Sequence, residues 1–276
     1  MDGPHRPFLL DYYYDDALSS QPVVIFCHGF KGFKDWGHFE LMAKWFAAAG
    51  FAFVKFNFSH NGIGIKGNTT EIKEIDVFGN NNFSIEMDDL GFVIDQIAAQ
   101  KLFVDVEVNT QELYLMGHSR GGGVVLAKSA EDVRIKKVVT LASVSRFDYM
   151  ITPEIHEKWK QEGVFYVINS RTGQQLPLYY QLVDDYFAHF SRLHIEAAVK
   201  KLQTPGLIIH GTADEGVSTD AAYELLKWNN KLQLILAEQQ GHVFGAKHPW
   251  NKNELPEGIA ELLPTIKAFL LFPNSD

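Results

Sequence analysis

The stretch Gly117-His118-Ser119-Arg120-Gly121 constrains this chain more than any other. It follows an apolar run, 113–116, that reads as a strand, and it leads into small residues, 121–127, that can start a helix. A serine flanked by glycines at such a junction is the pattern of a nucleophile elbow. The turn is so sharp that only small side chains clear it at the flanking positions, and the hydroxyl is lifted out of the sheet. Five residues alone carry little weight, because a chain with 22 glycines in 276 residues shows the pattern by chance roughly once in 13 such chains.

The order of the downstream residues gives the pattern its weight. Residues 207–210 read as a buried strand that ends in Gly211-Thr212-Ala213-Asp214, and after a further helix and strand comes Gly241-His242. An acid and then a histidine, each just past a strand end and both downstream of the serine, complete a Ser-Asp-His triad on an α/β sheet. Ser119 is the candidate nucleophile and needs a base, since a free hydroxyl attacks weakly near neutral pH. His242 is the candidate base; the plainer reading is one surface histidine among 11. Asp214 is the candidate orienting acid, with Glu215 and Asp148 as alternatives and a solvated acidic turn as the plain reading.

An oxyanion formed on such a serine needs preorganised donors. The elbow offers the N–H of Arg120, and the loop His28-Gly29-Phe30, after the strand at 22–28, offers that of Phe30. His28 itself reads as a structural histidine that hydrogen-bonds its loop. Cys27, the single cysteine, excludes an internal disulfide and reads as core packing rather than as a thiol nucleophile. Lys31, Lys34 and Lys66 read as solvated loop charges, with the weaker option that they meet an anionic substrate group.

Strands are expected at 8–14, 22–28, 51–58, 112–116, 137–142, 204–210 and 232–237. Helices are expected at 38–49, 84–100, 119–130, 219–228 and 257–271. Strands alternating with helices predict a mostly parallel sheet covered on both faces. The interval between 142 and 204 breaks that rhythm, being far longer than an ordinary connection. Helices are expected within it at 153–161 and 176–192, and it reads as a helical lid whose aromatics Phe147, Trp159, Tyr179 and Tyr180 line an apolar pocket. The plainer reading is a small helical insertion with its own minicore. The division expected is a core of residues 1–143 and 203–276 with a cap of 144–202.

A net charge of −9 and pI near 5.6 argue against nucleic acid and against anionic membrane surfaces. No basic start with an apolar run opens the chain, and no run of about 18 uncharged apolar residues occurs, so a soluble, cytoplasmic protein is expected. Gly62-Ile63-Gly64-Ile65-Lys66-Gly67 fits the text of a dinucleotide fingerprint, but a polar loop follows where a helix is required. No cofactor is expected, and with neither paired cysteines nor an HExxH helix, no metal.

With these residues in place, the sequence resembles an α/β-hydrolase along nearly its whole length. More narrowly it resembles the branch that includes feruloyl and cinnamoyl esterases and acyl-peptidase-like hydrolases. The matching text is His28-Gly29-Phe30 with Gly32 and Lys34, Phe56-Asn57-Phe58 before a Gly-rich turn, Gly117 to Gly121, His210 to Asp214 with Val217, and Gly241-His242. The resemblance implies family roles for Ser119, Asp214 and His242, oxyanion donors at Phe30 and Arg120, and a substrate-shaping insertion before the acid strand. Ser59-His60-Asn61-Gly62 departs from the Arg-Gly-His-Gly turn of many relatives. The activity expected is cleavage of small or medium acyl or aryl esters through an acyl-enzyme. Amide or thioester cleavage by the same residues is an alternative, as is a ligand-binding protein of this fold without turnover.

Overall fold

The computed structural model describes residues 1–66, 71–104 and 106–272. Gly67, the last glycine of the fingerprint-like text, lies outside the described residues. The first half contains β1 (Leu10–Tyr13), β2 (Gln21–Cys27), α1 (Phe39–Ala48), β3 (Ala52–Phe56), α2 (Ile75–Gly79), α3 (Phe83–Ala98), β4 (Val108–His118), α4 (Arg120–Ser129) and β5 (Ile135–Leu141). The long interval then supplies α5 (Pro153–Glu162), β6 (Val164–Ile168), β7 (Gln175–Tyr179), α6 (Gln181–Ala188), α7 (Phe190–Leu193) and α8 (Ile195–Lys201). The chain returns to the sheet with β8 (Gly206–Gly211), α9 (Asp220–Trp228), β9 (Leu232–Ala237) and α10 (Glu257–Leu271).

Seven strands form one sheet in the order β1-β3-β2-β4-β5-β8-β9. Only β1 runs antiparallel to its neighbour; the other pairs are parallel. Alternation along β2 shows why both faces are covered. Val23, Ile25 and Cys27 enter one buried cluster, while Val24 and Phe26 enter the other. The second cluster is closed by α1, through Phe39, Met42 and Phe46, and by α10, through Ile259, Leu263 and Ile266. The first is closed by α3 and α4, so Cys27 is core, and burial pushes its thiol well up. This is the mostly parallel, helix-flanked sheet expected from the sequence. Among the described residues no helix is long and apolar enough to cross a membrane.

The insertion differs from the helical reading. Helix α5 forms much as expected, with Thr152 capping the Ile155 amide and Gly163, at φ 72°, ending it. Next comes not a helix but an antiparallel hairpin, β6 paired with β7 from Val164↔Tyr179 to Ile168↔Gln175. The β-branched and aromatic run Val-Phe-Tyr-Val-Ile favours a strand. Pro177 is tolerated because a two-stranded ribbon has free edges. The helix expected from 176 therefore starts only at Gln181. The insertion also lacks a core of its own: Trp159, Leu178, Leu182 and Tyr186 join the cluster beneath α3 and α4.

Candidate active site

Strand β4 ends at His118 and α4 begins at Arg120, leaving Ser119 between them at φ 56°, ψ −121°. Such backbone costs a non-glycine residue roughly 1–3 kcal/mol and persists only where the surroundings over-determine it. Here the Ser119 N–H donates to Leu141 O at 2.9 Å, and Ser119 O accepts from Gly122 N–H at 2.9 Å. The flanking glycines are sterically required. A Cβ on Gly117 would stand 2.3 Å from the Gly121 carbonyl oxygen, and one on Gly121 would stand 2.4 Å from that of Cys27.

The loops after β8 and β9 bring two more side chains to this point. His242 Nε2 lies 3.0 Å from Ser119 Oγ, and His242 Nδ1 lies 2.9 Å from Asp214 Oδ2 and 3.1 Å from Oδ1. A carboxylate accepts only, so Nδ1 carries the proton and Nε2 is free to accept from the serine hydroxyl. The Asp214 carboxylate is fully buried. Its Oδ1 accepts from the Gly216 and Val217 amides at 2.7 and 2.9 Å, and its Oδ2 lies 3.3 Å from His210 Nε2. Burial alone would raise this acid. Hydrogen bonds from His210, His242 and Val217 outweigh it and hold the carboxyl well below the usual carboxylate range. Glu215 is exposed, and Asp148 sits in a turn with Arg146 Nε at 3.8 Å, so neither alternative acid takes this place.

Two histidines that the sequence reading did not single out support the arrangement. His210 donates to Val217 O at 2.9 Å besides facing Asp214. His118 donates from Nε2 to His242 O at 2.8 Å, with its ring 4.8 Å from that of His242. Burial, and then His242, push His118 down to about 3, so it is neutral and anchors the backbone of His242. Each stands at a strand's C-terminal end, inside a stretch already quoted for its neighbours.

The loop at 28–30 packs directly against the elbow, since a Cβ on Gly29 would stand 2.9 Å from Ser119 Cβ. Among the described residues the Phe30 and Arg120 amides have no acceptor within the chain. His28 holds this loop, donating from Nδ1 to Gly29 O at 2.9 Å and accepting the Phe58 amide at Nε2 at 3.2 Å. Burial pushes it down to about 4, which keeps it neutral. The side chain of Arg120 is buried too. Its guanidinium lies 3.9 Å from the centre of the Phe30 ring and faces Glu86 at 3.5 Å, bracing the loop from beneath.

Ser119 and His242 line a cavity of about 500 Å³. Phe30, Trp36 and Phe39 give it apolar wall, and the hairpin turn supplies Asn169, Ser170 and Arg171. The four aromatics expected to line it do not. Phe147 stacks on Phe83 at 4.6 Å, and Trp159 is buried with its indole N–H on Leu178 O at 2.8 Å. The Tyr179 hydroxyl donates to Asp76 at 2.7 Å, and Tyr180 pairs with His156 at 2.8 Å. None of these four rings lines the cavity; the insertion reaches it through its turn instead. Of the three lysines, Lys31 lines the cavity, Lys34 pairs with Asp11 and Asp35 at 2.5 and 2.6 Å, and Lys66 is exposed.

No family model matches the chain. An uncharacterised 31.7 kDa protein of the traX-finO intergenic region of Escherichia coli is 28% identical over 138 residues, 49% of this chain and 42% of that protein. The match thus spans less than half of the curated relative. Among solved structures, Est1E from Butyrivibrio proteoclasticus with bound ferulic acid aligns over 96% of this chain and 95% of its own, with TM-score 0.67 and 21% identity. Alpha/beta hydrolase domain-containing protein 10 from mouse aligns over 96% and 97%, with TM-score 0.68 and 18% identity. The chain has the α/β-hydrolase fold.

Proposed function

We propose that this protein is a serine esterase acting on small or medium acyl or aryl esters, with residues 144–202 capping a body made of 1–143 and 203–276. The observation that carries the reading is the unbroken hydrogen-bonded line from Asp214 through His242 to Ser119 at the wall of a cavity. The full-length likeness to Est1E agrees with it. His242 Nε2 takes the hydroxyl proton as Ser119 Oγ attacks the ester carbonyl, and Asp214 stabilises the imidazolium that forms. The Phe30 and Arg120 amides meet the oxyanion. Collapse of the tetrahedral adduct breaks the bond to the alcohol, which leaves with the proton from His242. A water, deprotonated by the same nitrogen, then hydrolyses the acyl-enzyme and releases the acid.

A fluorophosphonate probe tests this directly. Labelling of the wild type at Ser119, absent in Ser119→Ala, is expected; an unlabelled but folded wild type would overturn the reading. p-Nitrophenyl esters of rising chain length, run beside aminoacyl amides, then rank ester against amide substrates.

A further inference from the structure

The cavity is charged in a way the rest of the chain is not. The sequence holds 34 acidic residues against 25 Lys and Arg, yet the cavity wall contains Lys31, Arg171 and Lys247 and no carboxylate. Lys31 Nζ donates to a neutral acceptor, Ile168 O at 3.0 Å. Among the described residues neither Lys31 nor Lys247 has a carboxylate within 4.0 Å. Arg171 feels Glu71, which lies outside the wall. Asn169, on the same wall, is 4% exposed, and its Oδ1 accepts the Arg171 amide at 3.3 Å, which fixes the turn that carries Arg171. The field agrees: burial and Arg120 push the Lys31 ammonium down, and burial and Arg171 push His248 down against the pull of Asp35.

We propose that the cavity selects esters that carry a carboxylate away from the scissile bond, with Lys31, Arg171 and Lys247 as counter-charge. This deepens the esterase reading and rests on it. Lys31 directly follows Phe30, so the carbonyl end and the charged end of one substrate are held by a single loop and the turn facing it.

Two matched ester pairs test the selectivity. One puts the charge on the acyl side, p-nitrophenyl hydrogen adipate against p-nitrophenyl hexanoate. The other puts it on the alcohol side, 3-(4-acetoxyphenyl)propanoate against its N-methylamide. At low ionic strength kcat/KM for the anionic member is expected to exceed that of the neutral one by about tenfold or more in at least one pair, with the ratio collapsing toward one at high salt. Lys247→Gln and Lys31→Met should each lower that ratio about three- to tenfold, a change that general damage to the site would not produce. Ratios at or below one in both pairs, with hydrolysis proceeding, would overturn the selectivity and leave the esterase standing. If no ester turns over and no fluorophosphonate label appears, the esterase reading falls instead. The cavity is then judged alone, by calorimetric titration of folded Ser119→Ala with adipate against adipamide. Binding of adipate only upholds the anion site, and binding of neither, or of both equally, removes it.

Discussion

The two walls of the cavity are built differently. On the elbow side, β4, α4 and the 28–30 loop place backbone against backbone, with Gly117 and Gly121 leaving no room for a methyl group. On the hairpin side, the turn at 169–171 hangs from a two-stranded ribbon whose Tyr166 and Ile168 are 51% and 57% exposed. Lys31 Nζ on Ile168 O and Gln174 Nε2 on Ile72 O tie that ribbon to the body. On the esterase reading, the groups that hold the reaction geometry sit where the chain has no alternative, while Arg171, alone among the proposed counter-charges, sits on an element that can vary.

That contrast can be broken by experiment. The largest effect is expected on the elbow side: Asp214→Asn should keep the fold, as read by circular dichroism, and lower kcat by roughly 10⁴-fold. Near-normal turnover would return the role to another acid. On the other side, Trp159→Ala should cost about 3–5 kcal/mol in chemical denaturation, as truncation of a buried indole does. Its folded fraction should still take the fluorophosphonate at a rate within a few-fold of wild type; loss of labelling would show that the hairpin belongs to the rigid half. Gly121→Ala should cost about 3 kcal/mol, because a methyl group 2.4 Å from the Cys27 carbonyl forces the elbow apart, and here labelling and stability should fall together.

The smallest effect concerns pH. His38 is buried beside the cavity with neither ring nitrogen partnered, and burial pushes it down to about 4. The unfolded chain takes up a proton below about 6.5 that the folded chain refuses until near 4, so this contribution is complete above 6.5 and is lost as pH falls through that window. His38→Leu should therefore lose about 1–2 kcal/mol less stability than wild type between pH 7 and pH 5, measured by urea denaturation. Equal losses would show that His38 finds a proton acceptor on folding.

The same contrast governs what could be read from the sequence. The sheet was legible because two-sided burial leaves near-continuous apolar runs, as at 22–28 and 207–210. The meeting of Ser119, Asp214 and His242 was legible because each follows such a run, and parallel strands gather their C-terminal ends on one edge. The hairpin was not legible. Leu176 and Leu178 continue into Leu182, Val183 and Tyr186, so strand and helix periods merge across Tyr179 and Tyr180, and a short apolar run does not arbitrate between them. Reading the insertion as a helical lid placed its aromatics in the pocket, and misreading β7 as helix hid Asn169 and Arg171 in an unmarked turn. His118 and His210 were given no role for another reason: their roles depend on a carbonyl that arrives from a loop over a hundred residues away and a carboxylate from the next turn, respectively.

The crowding around Asp214 decides what can replace it. Donors address it from two directions, the Gly216 and Val217 amides on Oδ1 and the His210 and His242 rings on Oδ2. An asparagine side chain, whichever way it is turned, presents its NH₂ to one of those groups. Toward the loop it would oppose two main-chain N–H bonds that cannot move away. Toward the rings, the conflict is relieved only if the imidazole shifts its hydrogen from Nδ1 to Nε2, where it would confront the Ser119 hydroxyl and leave that hydroxyl nothing to donate to.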